Sequence, residues 1–203
     1  MAKTKLMQIN EFQNTEDFIN ASLKLITEIS PKTIALSGGS TPKNLYKKMS
    51  ELPFDNVKFF QVDERYVPKD HEDSNYKMIK ETLNKEIHHF DTSLNIPESL
   101  EKYKEELPEQ FDLIILGIGN DGHTASLFPN TEALNSKEKV AQTKNIQERL
   151  TITFPVILNS KNILVLLKNK KEVIEELKNP SKTIKEFPSL ELLEYGDLII
   201  NST

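Results

Sequence analysis

The chain has 203 residues, enough for one domain with a full core, and a single domain over 1–203 is expected. A net charge of −5 gives no electrostatic reason to expect nucleic acid or an anionic membrane as partner, and the lack of cysteine excludes disulfides and thiolate metal sites. The N-terminal stretch lacks the apolar run of a signal peptide, and no segment has the length and apolarity of a bilayer span, so a cytoplasmic protein is expected.

Taken in chain order, apolar runs alternate with segments of helical period. "LMQINEF" reads as a first strand. Residues 15–29 fit a helix with Phe18, Ala21, Leu25 and Ile29 on one side. "TIALS" (33–37) is a short buried strand. A helix follows from Thr41 or Pro42, with Thr41 as its cap, Pro42 in its first turn and Leu45, Met49 and Leu52 sharing a face. "VKFFQVD" (57–63) is the next strand, followed by helices near 74–86 and 98–107. "DLIILGI" (112–118) is the most apolar strand and is expected at the centre. "KVAQT", "RLTIT" and "ILVLL" add strands, "KKEVIEELKN" is a helix that stops before Pro180, and "DLIIN" is a last strand. No internal repeat or low-complexity linker breaks the series. The alternation predicts an α/β fold, a mainly parallel sheet flanked by helices on both faces. Ligands of such sheets bind beyond the carboxyl ends of the strands, which brings three loops together: "SGGSTP", "DERYVP" and "GIGNDGH".

Two skews of composition bear on those loops. Five of the six glycines fall in two of them, and twenty-four lysines stand against two arginines, Arg65 and Arg149. Where lysine supplies nearly all the positive charge, the rare arginines are candidates for planar, two-pronged anion binding, although chance placement fits as well.

In "LSGGSTPKNLY", Gly38 and Gly39 allow a tight turn with N–H groups converging, and Ser37, Ser40 and Thr41 add hydroxyls at a helix start. This suits a single phosphate; it lacks the G-K-[ST] of a nucleotide-triphosphate loop, and alone it is also an ordinary strand-to-helix turn. In "VDERYVPKDHEDSNY", extended backbone directs Asp63 and Arg65 to one face and Glu64 to the other. The pair reads either as an anchored anion-binding arginine or as a surface salt bridge. "SNY" offers a helix cap at Ser74 or Asn75.

"LGIGNDGHTASLFP" carries the glycine spacing of a dinucleotide fingerprint, Gly117, Gly119 and Gly122. Pro129 leaves no room for the long helix that fingerprint needs, and no acidic residue ends the following strand. His123 is the only one of four histidines in a glycine loop; His71, His88 and His89 read as surface or packing residues. His123 can take a proton from water, and Asp121, two residues earlier, can fix its tautomer, with loop N–H groups facing an oxyanion. A histidine held only for structure fits an isolated D-G-H equally well. There is no H-x-x-x-H pair for a metal and no G-x-S-x-G elbow for a serine nucleophile, so neither a metal site nor a serine nucleophile is expected.

In this order and at these spacings, "LSGGSTP", "VDERYVP…SNY" and "GIGNDGHTASLFP" closely resemble the glucosamine-6-phosphate isomerase/6-phosphogluconolactonase family, and within it the lactonases; the resemblance is strong from Thr33 to Arg149 and loose elsewhere. It implies a sugar-phosphate isomerase/deaminase-like fold and hydrolysis of 6-phosphoglucono-1,5-lactone to 6-phosphogluconate in the oxidative pentose phosphate pathway, without a metal or cofactor. The partner it implies is a small sugar-phosphate lactone, and the expected state is a monomer, with a dimer as the alternative. Carried over by motif, His123 resembles the base that activates water, with Asp121 orienting it. Arg65 and Arg149 resemble arginines near substrate, Gly38, Gly39, Ser40 and Thr41 match the phosphate loop, and Lys171 aligns with a phosphate-binding lysine. Two departures stand out. Lys168 occupies the place of a family glycine three residues before Lys171, and the C-terminal D-x-x-A pattern reads "GDLIINST". Related deaminases need a carboxylate soon after the histidine, where "TASLFPN" supplies none before Glu132. A non-catalytic sugar-phosphate sensor on the same fold is the other alternative.

Overall fold

The computed structural model describes residues 6–54, 56–195 and 197–203. In chain order its elements are β1 (Leu6–Glu11), α1 (Thr15–Ile29), β2 (Thr33–Leu36), α2 (Lys43–Met49), β3 (Lys58–Gln61), β4 (Asp63–Arg65), α3 (Asn75–Leu83), β5 (Ile87–His88), α4 (Ile96–Glu106), β6 (Leu113–Gly117), β7 (Val140–Lys144), β8 (Glu148–Ile152), α5 (Phe154–Leu158), β9 (Ile163–Leu167), α6 (Lys171–Lys178) and β10 (Asp197–Ser202), with 3-10 turns at Glu132–Asn135 and Pro188–Glu194. Seven strands form a parallel sheet in the order β1-β10-β9-β6-β2-β3-β5, with β6 at its centre.

Period-two alternation sends neighbouring side chains to opposite faces. Ile114, Leu116, Ile163, Val165 and Leu167 enter one core, closed by Tyr103 of α4, Phe154 and Ile157 of α5, and Val173, Ile174 and Leu177 of α6. Leu113, Ile115, Leu164 and Leu166 enter the other, closed by Phe18 and Ile26 of α1, Leu45, Tyr46 and Met49 of α2, and Ile79 and Leu83 of α3. Each such side chain, removed from water, contributes about 1.5–3 kcal/mol. The helices therefore flank the sheet on both faces, as the alternation predicts.

Helix ends follow local chemistry. Asn14, Ser74 and Asn95 accept hydrogen bonds from the third residue beyond them, each cap adding about 1 kcal/mol. Asn84 takes a left-handed conformation (φ 52°) and ends α3 short of the expected residue 86. The expected Thr41 cap is not made. Pro42 holds the N-cap position of α2 without a side-chain bond.

The expected strand at 57–63 is two strands. Val62 donates its N–H to Leu36 O (2.9 Å) in the parallel sheet and accepts from Ile152 N (2.9 Å) outside it. Beyond this handover β4 pairs antiparallel with β8, and β8 with β7, in a separate three-stranded sheet. "KVAQT" and "RLTIT" thus form a hairpin rather than extending the parallel sheet. From β2 the chain runs outward to β3, whereas β6, on the other side of β2, is followed outward by β9. The crevice between the carboxyl ends of β2 and β6 is therefore the topological switch point, where open α/β sheets hold their ligands.

Candidate functional site

A cleft of about 260 Å³ opens there. Ser37, Gly38, Gly39, Ser40 and Thr41 line it from the loop after β2, Asp63 and Arg65 from β4, Asn75 from α3, Gly117 from the end of β6, Gly119, His123 and Ala125 from the loop after it, Arg149 from β8, and Lys170 from the loop between β9 and α6. Every predicted site residue except Asp121 and Lys171 lies on its wall, and Asp121 is bonded to one that does.

The two glycine loops are tied at their roots. Ser37 donates its N–H and Oγ–H to Ile115 O (3.2 and 2.9 Å), and Tyr46 Oη–H donates to Ser37 O (2.9 Å). A Cβ on Gly38 would lie 1.9 Å from Asn75 Oδ1, so only glycine lets the phosphate-type loop pack on α3. Asn75 in turn donates from Nδ2 to Asp63 O (2.9 Å). "SNY" therefore does two jobs: Ser74 caps α3, and Asn75 joins the first two loops.

Alternation along β4 turns Asp63 and Arg65 to the cleft and buries Glu64 on the other side, 1% exposed. Glu64 accepts from Gln61 Nε2 (2.7 Å), Ser74 Oγ (3.1 Å) and the N–H groups of Arg65 (2.8 Å), Asn75 (2.7 Å) and Tyr76 (2.8 Å). Burial pushes its carboxyl above the usual range, and these donors pull against that shift. Asp63 and Arg65, expected to serve each other, have different partners. Arg65 Nη1 donates to Asp73 O (2.5 Å), while Asp63 Oδ2 lies 4.0 Å from Arg149 Nη1 and accepts from Ser126 Oγ (2.6 Å). Arg65 and Arg149 are cross-strand partners, and the Nε of each is buried without a hydrogen-bond partner. Burial lowers the Arg149 guanidinium pKa; Asp63 opposes the shift and Arg65 adds to it. Arg149 also sits over the Phe128 ring at 5.3 Å.

The histidine loop is a compact knot. Gly119 N donates to His123 O (2.8 Å), Gly122 N to Gly119 O (3.0 Å), and Thr124 Oγ1 to Gly117 O (3.0 Å). His123 Nδ1 lies 2.5 Å from Asp121 Oδ1. Burial tends to raise the Asp121 carboxyl, but the hydrogen bond and charge of His123 outweigh it and hold the group below its ordinary value. An ionised carboxylate can only accept, so Nδ1–H donates to it, and when the ring is neutral its lone pair lies at Nε2. A Cβ on Gly119 would stand 2.2 Å from the His123 ring and 2.6 Å from Asp121 Oδ1, so this glycine makes room for the pair.

Lys171 does not line the cleft. It is the exposed first residue of α6, whereas half-buried Lys170 reaches the cleft and bonds through Nζ to Asn120 Oδ1. Sequence reasoning also passed over Asn75, Ser126 and Lys170; their signals were a cap motif, a serine outside any nucleophile pattern, and one lysine of an adjacent pair. The other histidines lie elsewhere: His88 stacks on Phe60 and pairs with Glu106, His89 stacks on Tyr76, and His71 Nδ1 accepts from Asp73 N. Among the described residues no three His, Asp or Glu side chains are grouped to hold a metal, and no helix is long and apolar enough to cross a membrane.

The sequence profile described as Glucosamine-6-phosphate isomerases/6-phosphogluconolactonase matches residues 12–195. The chain is 39% identical over 166 residues to the 6-phosphogluconolactonase of Synechocystis sp., covering 71% of this chain and 69% of that one. It is 38% identical over 161 residues to the 6-phosphogluconolactonase of Thermotoga maritima, covering 71% and 73%. The crystal structure of a Thermotoga maritima 6-phosphogluconolactonase superposes with a TM-score of 0.85 at 29% identity, covering 98% of this chain and 100% of that one. The three-dimensional structure of the Trypanosoma brucei 6-phosphogluconolactonase gives 0.83 at 27% identity, covering 98% and 97%.

Proposed function

This chain belongs to the glucosamine-6-phosphate isomerase/6-phosphogluconolactonase family, and we propose that its cleft hydrolyses 6-phosphoglucono-1,5-lactone to 6-phosphogluconate, in the oxidative pentose phosphate pathway, with His123 as general base toward water. The observation that carries this reading is the 2.5 Å contact of His123 Nδ1 with Asp121 Oδ1 on the wall of an arginine-lined cleft.

A lactone carbonyl is reactive, so the site needs a positioned water, a base and a partner for the oxyanion, and no covalent nucleophile. The phosphate lies against Gly38–Thr41, Arg149 and Lys170. Water attacks C1 while Nε2 of His123 takes its proton. The carbonyl electron pair moves to oxygen and is met by Arg65 or loop N–H groups. The tetrahedral intermediate collapses, the bond from C1 to the ring oxygen breaks, and His123 returns the proton to that oxygen. The carboxylic acid formed then ionises. Throughout, Asp121 keeps the ring oriented and stabilises its cationic form, as in an orienting carboxylate of a triad.

A deaminase-type reaction needs a further carboxylate soon after the histidine. Glu132 is the first, and it belongs to a 3-10 turn and not to the cleft wall. The test is a pH-stat assay on fresh 6-phosphogluconolactone with glucosamine 6-phosphate as comparison. Acid release above the spontaneous rate is expected with the first and no turnover with the second; the reverse overturns the reading.

A further inference from the structure

We propose that Ser126 is a positioning residue, a clip that locks the arginine pair to the histidine loop. The proposal rests on the reading of the cleft as a lactone-hydrolysing site. Ser126 is fully buried, three residues after His123. Ala125 before it takes a left-handed conformation (φ 52°), which turns the chain inward at that point. The serine then makes two hydrogen bonds into the small antiparallel sheet. Its Oγ–H donates to Asp63 Oδ2 (2.6 Å), and its N–H donates to Thr151 Oγ1 (3.2 Å). The Thr151 hydroxyl spends its own proton on Ile152 O (2.8 Å), so it is free to accept.

Asp63 and Thr151 are directly opposed residues of β4 and β8, and Arg65 and Arg149 are opposed two residues on along β4 and two residues back along β8. By alternation both rungs present side chains to the same face. Ser126 therefore grips the rung next to the arginine pair. The Asp63 oxygen it bonds is the one that lies 4.0 Å from Arg149 Nη1. Opposed like charges repel across a strand pair, and Asp63 is the countercharge that holds Arg149 beside Arg65. Ser126 fixes where that countercharge points. Being buried and already donating to a carboxylate, it does not touch substrate. Its role is to keep base and anion-binding groups at a set separation.

With only two arginines in the chain, protein labelled with ¹⁵N-arginine gives two Nε–H signals, and Arg65→Lys assigns that of Arg149. In Ser126→Ala the Arg149 signal is expected to move or broaden, affinity for 6-phosphogluconate to fall about tenfold, and kcat/KM for the lactone to fall about tenfold to hundredfold. Ser126→Thr, which keeps the hydroxyl, restores all three. Ser126→Cys fills the same space with a weak donor and is held to the same readouts if the alanine variant does not fold. An Arg149 signal and a product affinity both unchanged in the folded variant overturn the proposal, since a purely structural serine alters melting alone. If the wild type does not hydrolyse the lactone, the functional reading fails, and the Arg149 signal still decides the case of Ser126.

Discussion

Arg65 and Arg149 face each other directly across the β4–β8 pair, and each keeps a buried Nε without a hydrogen-bond partner. Two opposed guanidiniums repel, and burying their donors unpaired costs more. Asp63 offsets part of this for Arg149, with smaller favourable contributions from Glu64 and Asp73. A negative group bound beside the two guanidiniums, as in the proposed reading of the cleft, would offset more of it. In a chain that uses lysine almost everywhere else, both arginines stand at this one place.

Stability should therefore respond to anions. Free 6-phosphogluconate at a hundred times its Kd stabilises the native state by about 2.7 kcal/mol, read as a rise in melting temperature. Arg149→Ala should abolish most of that rise. An equal rise in the variant would show that the anion binds elsewhere.

Removing the proposed base should act on turnover. His123→Ala is expected to lower kcat by about 10²–10⁴, measured against spontaneous lactone opening, with the melting temperature nearly unchanged. Asp121→Asn removes the anion that stabilises the imidazolium. Its kcat should fall while KM for the lactone changes little. A variant with the wild-type kcat would detach Asp121 from the mechanism.

The adjacent lysines separate cleanly. Lys170 lines the cleft and bonds Asn120, whereas Lys171 is exposed outside it. Lys170→Ala should raise KM for the phosphorylated lactone about tenfold, the loss of one charge-assisted contact. Lys171→Ala should leave KM unaltered. The opposite pattern would place the phosphate against Lys171.

Gly119→Ala tests the room beside the proposed base. The added methyl would stand 2.2 Å from the His123 ring, so the ring must leave its place beside Asp121. A loss of about 10²-fold in turnover is expected, with little change in chemical denaturation. Retention of activity would mean that the ring works from another position.

Away from the cleft, hydrogen bonds from Lys102 and Ser93 hold the Asp91 carboxyl down to about 2, against an ordinary 3.8. A depressed carboxyl contributes stability that is present above its unfolded value and lost as pH falls through the folded one. The loss should fall between about pH 4 and 2 and amount to about 1 kcal/mol after solvent screening. Lys102→Met should flatten that part of the stability profile, read by denaturation at pH 5 and pH 3. An unchanged slope would assign the acid response to other carboxylates.

The sequence by itself determined the parallel sheet, its two-sided core and the three loops at its carboxyl edge. These follow from local patterns: continuous apolar runs, helix caps, and glycines where the backbone must turn or pass close. It also singled out His123 with Asp121, because two residues of one tight loop are neighbours whatever the rest of the chain does. Only the tertiary structure decided that 57–63 divides at Val62 and that 140–152 is a hairpin in a second sheet, since an apolar strand reads the same whichever neighbour it pairs with. That pairing set Arg65 opposite Arg149 and gave Asp63 to Arg149 and Ser126, while the packing of α3 brought Asn75 against Gly38. The choice of Lys170 over Lys171 rests on one residue of helix start, with Lys170 at φ −120° and ψ 48° just outside α6. Contacts between residues far apart in sequence depend on strand register and backbone direction, which no local pattern encodes.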